Sequence, residues 1–140
     1  MNTKEKERLI KELFNYWCGK LGLPIISIKK DNRRDSALYA CSNGVSYNTK
    51  NIKYGDKVWI IGAVFHEIGH VLFDTPYETD DEEVLAEYIA ESFSLSMITL
   101  HYPKIKKQTI KDRKYMLSIE KWHKKWPNHY KAFKKIKEYR

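Results

Sequence analysis

The feature that most constrains this chain is the five-residue sequence His66-Glu67-Ile68-Gly69-His70, which reads H-E-x-x-H. Residues i and i+4 of a helix share one face, so the rings of His66 and His70 can converge on one metal ion. Glu67 lies beside them and can take a proton from water bound to that metal, as in zinc peptidases. The spacing therefore predicts a zinc (Zn2+) site in which His66 and His70 are ligands and Glu67 is catalytic.

The flanking residues favour a buried helix over two surface histidines. Apolar residues dominate the stretch from Val58 to Phe65 and return from Val71 to Phe73. A helix that is apolar on nearly every side is a buried helix. Buried histidines and glutamates need partners, because an unpaired buried polar group costs on the order of several kcal/mol. A metal ion supplies such partners, and the predicted zinc helix spans about 58 to 73.

A second helix is predicted downstream, where a neighbouring element would supply the third ligand of a catalytic zinc shell. Thr79 and Glu82 form a capping box, so the helix begins there and continues to about Leu100. Its apolar residues recur at every fourth position and predict a stripe that packs inward: Leu85, Ile89, Phe93 and Met97.

Two glutamates of this helix are candidates for the third ligand. Glu87 and Glu91 lie one turn apart beside the apolar stripe, and either can face the zinc. The alternative interpretation is that Glu83, Glu87 and Glu91 form the solvated face of an acidic helix. The residues alone leave both interpretations open.

At this point the chain resembles a known family. H-E-I-G-H followed by E-x-x-A-E-x-F (Glu87, Ala90, Glu91 and Phe93) is similar to the ImmA/IrrE-type metallopeptidases, which are gluzincins. The resemblance covers roughly residues 40 to 100. It implies that Glu87 is the third zinc ligand and that Glu91 hydrogen-bonds a ligand histidine, which fixes the tautomer of that ring. The family has Asn where this chain has Glu91, which leaves open an exchange of roles between the two glutamates.

The order of predicted elements indicates one α+β domain over residues 1–140. A helix, a small antiparallel or mixed sheet, the zinc helix and the glutamate helix form a minimal zincin-like core over 1–100. Residues 101–140 form a basic helical extension. A substrate peptide can add to the edge of such a sheet as a further strand, and Val45 to Ile52 is the candidate edge. The remaining predicted elements are a helix at 4–20, strands at 25–28, 37–41 and 45–48 with a tight turn at Asn43-Gly44, and C-terminal helices at 110–122 and 128–139.

Composition narrows the compartment and the partners. No apolar core of signal-peptide type follows the charged first residues, and no apolar run reaches membrane-span length. We therefore expect a cytoplasmic protein without a membrane partner. Cys18 and Cys41 form no C-x-x-C pair, and both are expected to be buried thiols.

Charge is unevenly distributed within a formal net charge of +8. Residues 74–91 contain eight acids and no Lys or Arg, whereas residues 101–140 contain fourteen Lys and Arg and three acids. An acidic rim near the cleft would attract a basic peptide. The basic segment also carries aromatic residues that could contact nucleic acid, although an amphipathic helix with its aromatics in the core is the favoured interpretation: Trp122, Trp126, Tyr130 and Tyr139.

The family resemblance implies a zinc-dependent endopeptidase that cleaves a specific intracellular protein, for which a DNA-binding repressor is one candidate. The same analogy is consistent with a protein of a phage or mobile element. Bound zinc polarises the scissile carbonyl, and Glu67 passes a proton from water to the leaving amine. The sequence does not choose among four candidates for stabilising the oxyanion: Tyr88, His101, Tyr115 and His123.

Two other functions are consistent with the sequence. A SprT-like protease acting on DNA-bound proteins would use a histidine as third ligand, and His129 lies in a similar H-x-x-x-F stretch, but far beyond the usual gap after His70. The other is a non-catalytic zincin scaffold that binds a regulator, which would have no need for Glu67. The same ligands would accept other divalent ions.

Overall fold

The computed structural model describes residues 1–24, 27–41 and 44–140. Within these ranges the chain is a mixed α+β protein in which helices predominate, as the sequence predicted. The helices are α1 (Thr3–Lys20), α2 (Thr49–Ile52), α3 (Lys57–Phe73), α4 (Asp80–His101), α5 (Lys106–Leu117), α6 (Glu120–Lys125) and α7 (Pro127–Lys134). The strands are β1 (Ser27–Lys30), β2 (Leu38–Cys41) and β3 (Gly44–Tyr47), and 3-10 turns lie at Pro103–Ile105 and Lys137–Tyr139.

Helix α3 carries the H-E-x-x-H sequence through the core, close to the predicted bounds. Asp56 caps its first turn by accepting a hydrogen bond from the Trp59 amide at 2.8 Å. The helix ends at Asp74, which adopts a left-handed conformation with φ of 39°. Most of its apolar residues are buried, as a helix that is apolar on nearly every side requires: Ile60, Ile61, Val64, Phe65 and Ile68.

Helix α4 begins where the capping box predicted. The Thr79 hydroxyl accepts a hydrogen bond from the Glu82 amide at 3.1 Å. The Glu82 carboxylate accepts one from the Glu78 amide at 3.0 Å, one residue before the position that a reciprocal capping box would use. The first turn of α4 also contains four acidic residues, Asp80, Asp81, Glu82 and Glu83. Negative charge is favourable there because it lies at the positive end of the helix dipole.

The predicted inward stripe of α4 is wrong at its first position, since Leu85 is 54% exposed. Helix α4 instead buries Ala86 and Ala90 together with the glutamate that follows each of them, Glu87 and Glu91. The reason is a close approach to α3, because a Cβ on Gly69 would lie 2.9 Å from the Cα of Ala90. Only small residues permit this approach, and the face that carries them turns Leu85 toward solvent.

The sheet has the strand order β1-β3-β2 in the described part of the chain. Strands β2 and β3 are antiparallel, with Leu38 opposite Tyr47, as the predicted hairpin requires. Its predicted turn at Asn43-Gly44 lies partly outside the described residues. Strand β1 pairs with β3 in parallel and begins at Ser27, two residues after the predicted start at Ile25, which is also outside them.

The prediction that Val45 to Ile52 forms the sheet edge is wrong. Strand β3 is the central strand, because β1 pairs with the side of β3 that β2 leaves open. Residues 49–52 form the short helix α2, capped by Asn48, whose side chain accepts from the Lys50 amide at 2.8 Å. The edge strand that contacts α3 is β2.

Two groups of buried residues form the core. The larger joins α1, the sheet, α3 and the end of α4, and it includes Phe14, Val45, Phe65 and the buried Cys18. The smaller fixes the C-terminal segment to α4: Val84, Leu95, Ala132, Phe133, Ile136 and Tyr139. The prediction of a buried thiol is confirmed for Cys18, whereas the side chain of Cys41 lies outside the described residues.

The C-terminal segment contains three α-helices where the sequence predicted two. Helix α5 starts four residues before the predicted Ile110 and ends at Leu117, and the predicted break at Trp126-Pro127 separates α6 from α7. Within the described residues, no helix combines the length and the apolar character needed to span a lipid bilayer.

Candidate metal centre

The two histidines of α3 point their Nε2 atoms at each other. His66 Nε2 lies 3.1 Å from His70 Nε2, as expected for residues one turn apart on one helix face. His66 is 7% exposed, and the His70 side chain is 18% exposed. Both rings therefore present a nitrogen at the boundary between the core and the solvent.

Glu87 of α4 completes a group of three donors. Its Oε2 lies 2.8 Å from His66 Nε2, and its Oε1 lies 3.1 Å from His70 Nε2. Glu87 is 1% exposed and Glu91 is 0% exposed, so the interpretation of both as a solvated acidic face is wrong. Tyr77 adds a hydrogen bond from its hydroxyl to Glu87 Oε1.

These distances fit donors that share one metal ion. Ligand atoms on a tetrahedral zinc, at about 2.0–2.2 Å from the ion, lie roughly 3.3–3.5 Å from one another. The three separations of 2.8 to 3.1 Å are slightly shorter than this. Imidazole nitrogen and carboxylate oxygen are the donor set of a His2Glu zinc site.

The charge of the group also favours a cation. Burial lowers the pKa of His66, but the Glu87 and Glu91 carboxylates outweigh it and raise that pKa to about 10. Burial acts to raise the pKa of Glu87, yet the adjoining histidines hold it well below its usual range. Without a metal the group thus retains a proton on His66, and a divalent ion would take the place of that proton.

Glu91 orients His66 from the opposite side of the ring. Its Oε1 lies 3.2 Å from His66 Nδ1, so an Nδ1–H donor there leaves Nε2 free as a metal ligand. Arg113 donates to Glu91 through Nε at 2.8 Å and Nη2 at 3.3 Å, and Tyr139 donates to Oε2 at 3.2 Å. Burial acts to raise the pKa of Glu91, but Arg113 and His66 lower it to about 2.

Arg113 and Tyr139 are site residues that sequence reasoning missed. Arg113 is 8% exposed and Tyr139 is 5% exposed, although both belong to the basic C-terminal segment. One signal was present for Arg113, since only two of the fourteen basic residues in 101–140 are arginines. The planar guanidinium suits a buried bidentate pair with a carboxylate better than a lysine does.

Glu67 lies on the cleft side of α3, next to strand β2. Its Oε2 accepts a hydrogen bond from the Ala40 amide at 3.0 Å. Burial is the main cause that raises the pKa of Glu67. A carboxyl group whose pKa is shifted toward neutral pH is better suited to accept and then release a proton.

A cleft of about 1270 Å3 opens over these groups. Strand β2 forms one wall, with Tyr39 and Ala40, and α6 forms the opposite wall, with Trp122 and Lys125. Acidic residues other than Glu67 and Glu87 also line it: Asp35, Asp56, Asp74, Glu83 and Asp112. The lining of the cleft therefore contains more acidic residues than lysines and arginines.

His129 of α7 also reaches the group. Its Nε2 lies 3.1 Å from Glu87 Oε2, and donor atoms of His66, Glu87 and His129 all lie within 4.8 Å of one another. Trp126 and Phe133 hold its ring, at centroid distances of 5.3 and 6.2 Å. Burial is the main cause that lowers the pKa of His129. Sequence spacing had argued against this residue.

The four predicted oxyanion candidates are not part of the group of donors. His101 packs its ring against Trp17 at 4.6 Å, and His123 stacks on Tyr130 at 3.9 Å. Tyr88 is 36% exposed, and Tyr115, which lines the cleft, is 70% exposed. None of the four contacts His66, His70 or Glu87 among the hydrogen bonds of the described residues.

No protein-family model, curated protein or solved structure matches this chain. The likeness to ImmA/IrrE-type enzymes therefore rests on the residues quoted above and stays a prediction.

Proposed function

We propose that this protein is a zinc-dependent endopeptidase. The observation that carries the proposal is the close approach of His66 Nε2, His70 Nε2 and the Glu87 carboxylate beside Glu67. Glu87 Oε2 faces His66 and Glu87 Oε1 faces His70, and the separations are 2.8 to 3.1 Å. These residues would hold the ion, in a zincin-like arrangement. When bound, zinc supplies a Lewis acid that polarises a peptide carbonyl and acidifies water.

The chain's own residues then have separate roles. Glu67 takes a proton from the attacking water and returns it to the leaving amine nitrogen. Glu91 holds the tautomer of His66, and Arg113 keeps Glu91 ionised. Tyr77 keeps Glu87 in place through its hydroxyl.

The substrate would bind along β2. Asn48 donates to the Ala37 carbonyl at 2.9 Å, so alternation along the strand turns the backbone groups of Leu38 and Ala40 away from β3. A peptide added at this edge would run past Glu67, which already accepts from the Ala40 amide. The acidic rim favours a basic segment of a cytoplasmic protein, and a DNA-binding repressor has that chemistry.

The first test is the zinc content of the purified protein, wild type beside Glu87→Ala. We expect one zinc ion per chain in the wild type and little in the variant, because Glu87 contacts both ligand histidines. Glu120→Ala is a matched control, since this glutamate is exposed and its ion-pair partner among the described residues is the exposed Lys124, at 3.2 Å. Zinc retained in Glu87→Ala would contradict Glu87 as a required ligand and would move the third ligand to Glu91, Glu83 or His129.

The second test separates an enzyme from a binding scaffold. Glu67→Gln should retain zinc but lose hydrolysis of a peptide library by about 10²- to 10⁴-fold, because the general base is removed. Mass spectrometry of the library gives the cleavage products. Unchanged biological activity of Glu67→Gln would favour the non-catalytic scaffold instead.

A further inference from the structure

His129 reaches the metal group from outside the α3–α4 pair. It is the third residue of α7, a helix of eight residues that begins at Pro127. Its Nε2 lies 3.1 Å from Glu87 Oε2, the same oxygen that lies 2.8 Å from His66 Nε2. The donor atoms of His66, Glu87 and His129 lie within 4.8 Å of one another, so His129 meets two of the three residues of the proposed zinc site.

We propose that His129 is a fourth protein ligand of the same metal ion and that it closes the coordination shell in this conformation of the chain. The inference rests on the proposed function, because it uses the site formed by His66, His70 and Glu87. A neutral imidazole nitrogen is an ordinary zinc ligand, and four protein ligands fill a tetrahedral shell.

A closed shell has a consequence for catalysis. A catalytic zinc keeps one position open for water or substrate, whereas a zinc with four protein ligands is a closed, structural type of site. One ligand must therefore leave before a peptide carbonyl can approach. Helix α7 then acts as a cap over the cleft.

His129 is the ligand that can leave most easily. His66 and Glu87 are 7% and 1% exposed, and both belong to long helices packed against each other. The His129 side chain is 24% exposed and belongs to a short helix near the end of the described chain. Movement of α7 would break its own packing on α4 but would leave the contact between α3 and α4 in place.

Helix α7 is held on α4 by two kinds of contact. Phe133 and Ala132 pack in the smaller core group with Val84. Asn128 donates through Nδ2 to Asp80 Oδ1 at 3.2 Å and to Glu83 Oε2 at 3.0 Å. The cap is thus attached to the acidic first turn of α4, where a basic substrate would also bind.

The first experiment measures zinc affinity by competition with a chromophoric chelator. The variants are His129→Ala, His129→Phe and, as a matched control at the end of α4, His101→Ala, whose ring packs on Trp17. We expect the two His129 variants to bind zinc roughly 10- to 100-fold more weakly and the control to be unchanged. Phe retains a ring between Trp126 and Phe133, so this variant serves if the Ala variant does not fold. Equal affinity in wild type and the folded His129 variants would overturn the proposal.

The second experiment tests closure with a small ligand. Wild type and His129→Ala are loaded with Co2+, and acetohydroxamate is titrated while the visible absorption is recorded. The closed wild-type site should respond only at much higher acetohydroxamate concentration than the variant, which has an open position. The same response from both proteins would show that His129 does not close the site.

The two proposals fail in different ways. A wild type that binds no zinc would remove the metal site and the fourth ligand together. Zinc that is lost in Glu87→Ala but held with wild-type affinity in both His129 variants would leave the proposed function intact and remove only the role of His129.

Discussion

Two regions build the candidate metal centre in different ways, the pair α3–α4 and the C-terminal segment 101–140. The helix pair supplies its donors in regular series, with His66 and His70 one turn apart on α3 and Glu87 and Glu91 one turn apart on α4. The C-terminal segment supplies single residues from three separate elements: Arg113, His129 and Tyr139. A regular helix fixes the first set, whereas packing of the C-terminal segment against α3 and α4 fixes the second.

The two regions are also held in place by different interactions. Gly69 and Ala90 let α3 and α4 come close, so this contact depends on the absence of side-chain volume. Arg113 instead brings a charge to the buried Glu91, so the C-terminal contact depends on electrostatic pairing. The helix pair is therefore expected to be sensitive to added atoms and the C-terminal segment to removed charge.

The largest expected effect comes from breaking the C-terminal contact at Arg113. Arg113→Met should lower the free energy of unfolding by about 3–5 kcal/mol, because it leaves the Glu91 charge buried without its partner. Urea unfolding followed by circular dichroism measures this. Arg33→Met is a matched control, because Arg33 pairs with Asp31 in solvent at 91% side-chain exposure and should show no measurable change.

The double variant Arg113→Met/Glu91→Gln sharpens that prediction. Removing both charges should restore most of the stability lost in Arg113→Met, since no unpaired carboxylate remains buried. Equal losses in Arg113→Met and Arg33→Met would show that the buried pair does not fix the C-terminal segment.

A somewhat smaller change in the free energy of unfolding is expected when the pH is lowered, measured on the metal-free protein in the presence of a chelator. The pKa of Glu91 is about 2 in the folded chain against an ordinary value of 4.5, mainly because Arg113 outweighs the effect of burial. A lowered pKa stabilises the fold above about pH 4.5, and this contribution, about 3 kcal/mol in full, is lost as pH falls toward 2. Urea unfolding of wild type and Glu91→Gln at a series of pH values should show their difference shrinking over this range. A difference that stays constant with pH would contradict the lowered pKa.

The smallest of the three effects concerns the close contact in the helix pair. Gly69→Ala should cost about 1–3 kcal/mol of unfolding free energy, because its Cβ would lie 2.9 Å from Ala90 Cα. Gly62→Ala on the same helix is the control, since its nearest neighbour would be Arg113 Nη2 at 3.6 Å. The control should be unchanged or up to about 1 kcal/mol more stable, as Ala is a better helix former than Gly. Thermal unfolding of the two variants decides the point, and similar results for both would argue against a tight crossing at Gly69.

Much of the helical framework was predictable because its signals are local. The apolar run bounded α3 to within one residue, and Thr79 marked the start of α4. The sheet was predicted less well, since the hairpin signal at Asn43-Gly44 pairs β2 with β3 but says nothing about β1. The parallel β1–β3 pairing joins residues 17 apart, such as Ser27 and Gly44, and no turn specifies it.

The residues of the candidate site also divide into those that a local sequence pattern indicates and those that it does not. His66, Glu67 and His70 follow from one five-residue spacing, and Glu87 follows from the family resemblance. The prediction that Leu85 packs inward was wrong because apolar periodicity indicates a helix face but carries no information about how closely the partner helix approaches. No periodic pattern marks Arg113 or Tyr139, and the long gap after His70 argued against His129 as a ligand.

By itself, the sequence determined the groups whose geometry is set within a single helix: the two histidines, the neighbouring Glu67 and the one-turn pair of glutamates. A helix fixes these positions through its own hydrogen bonds, whatever surrounds it. Only the tertiary structure decided which glutamate faces which histidine, that a guanidinium balances Glu91, and that His129 reaches Glu87. These contacts join residues 17 to 48 positions apart, and they depend on how α4 packs between α3 and the C-terminal segment.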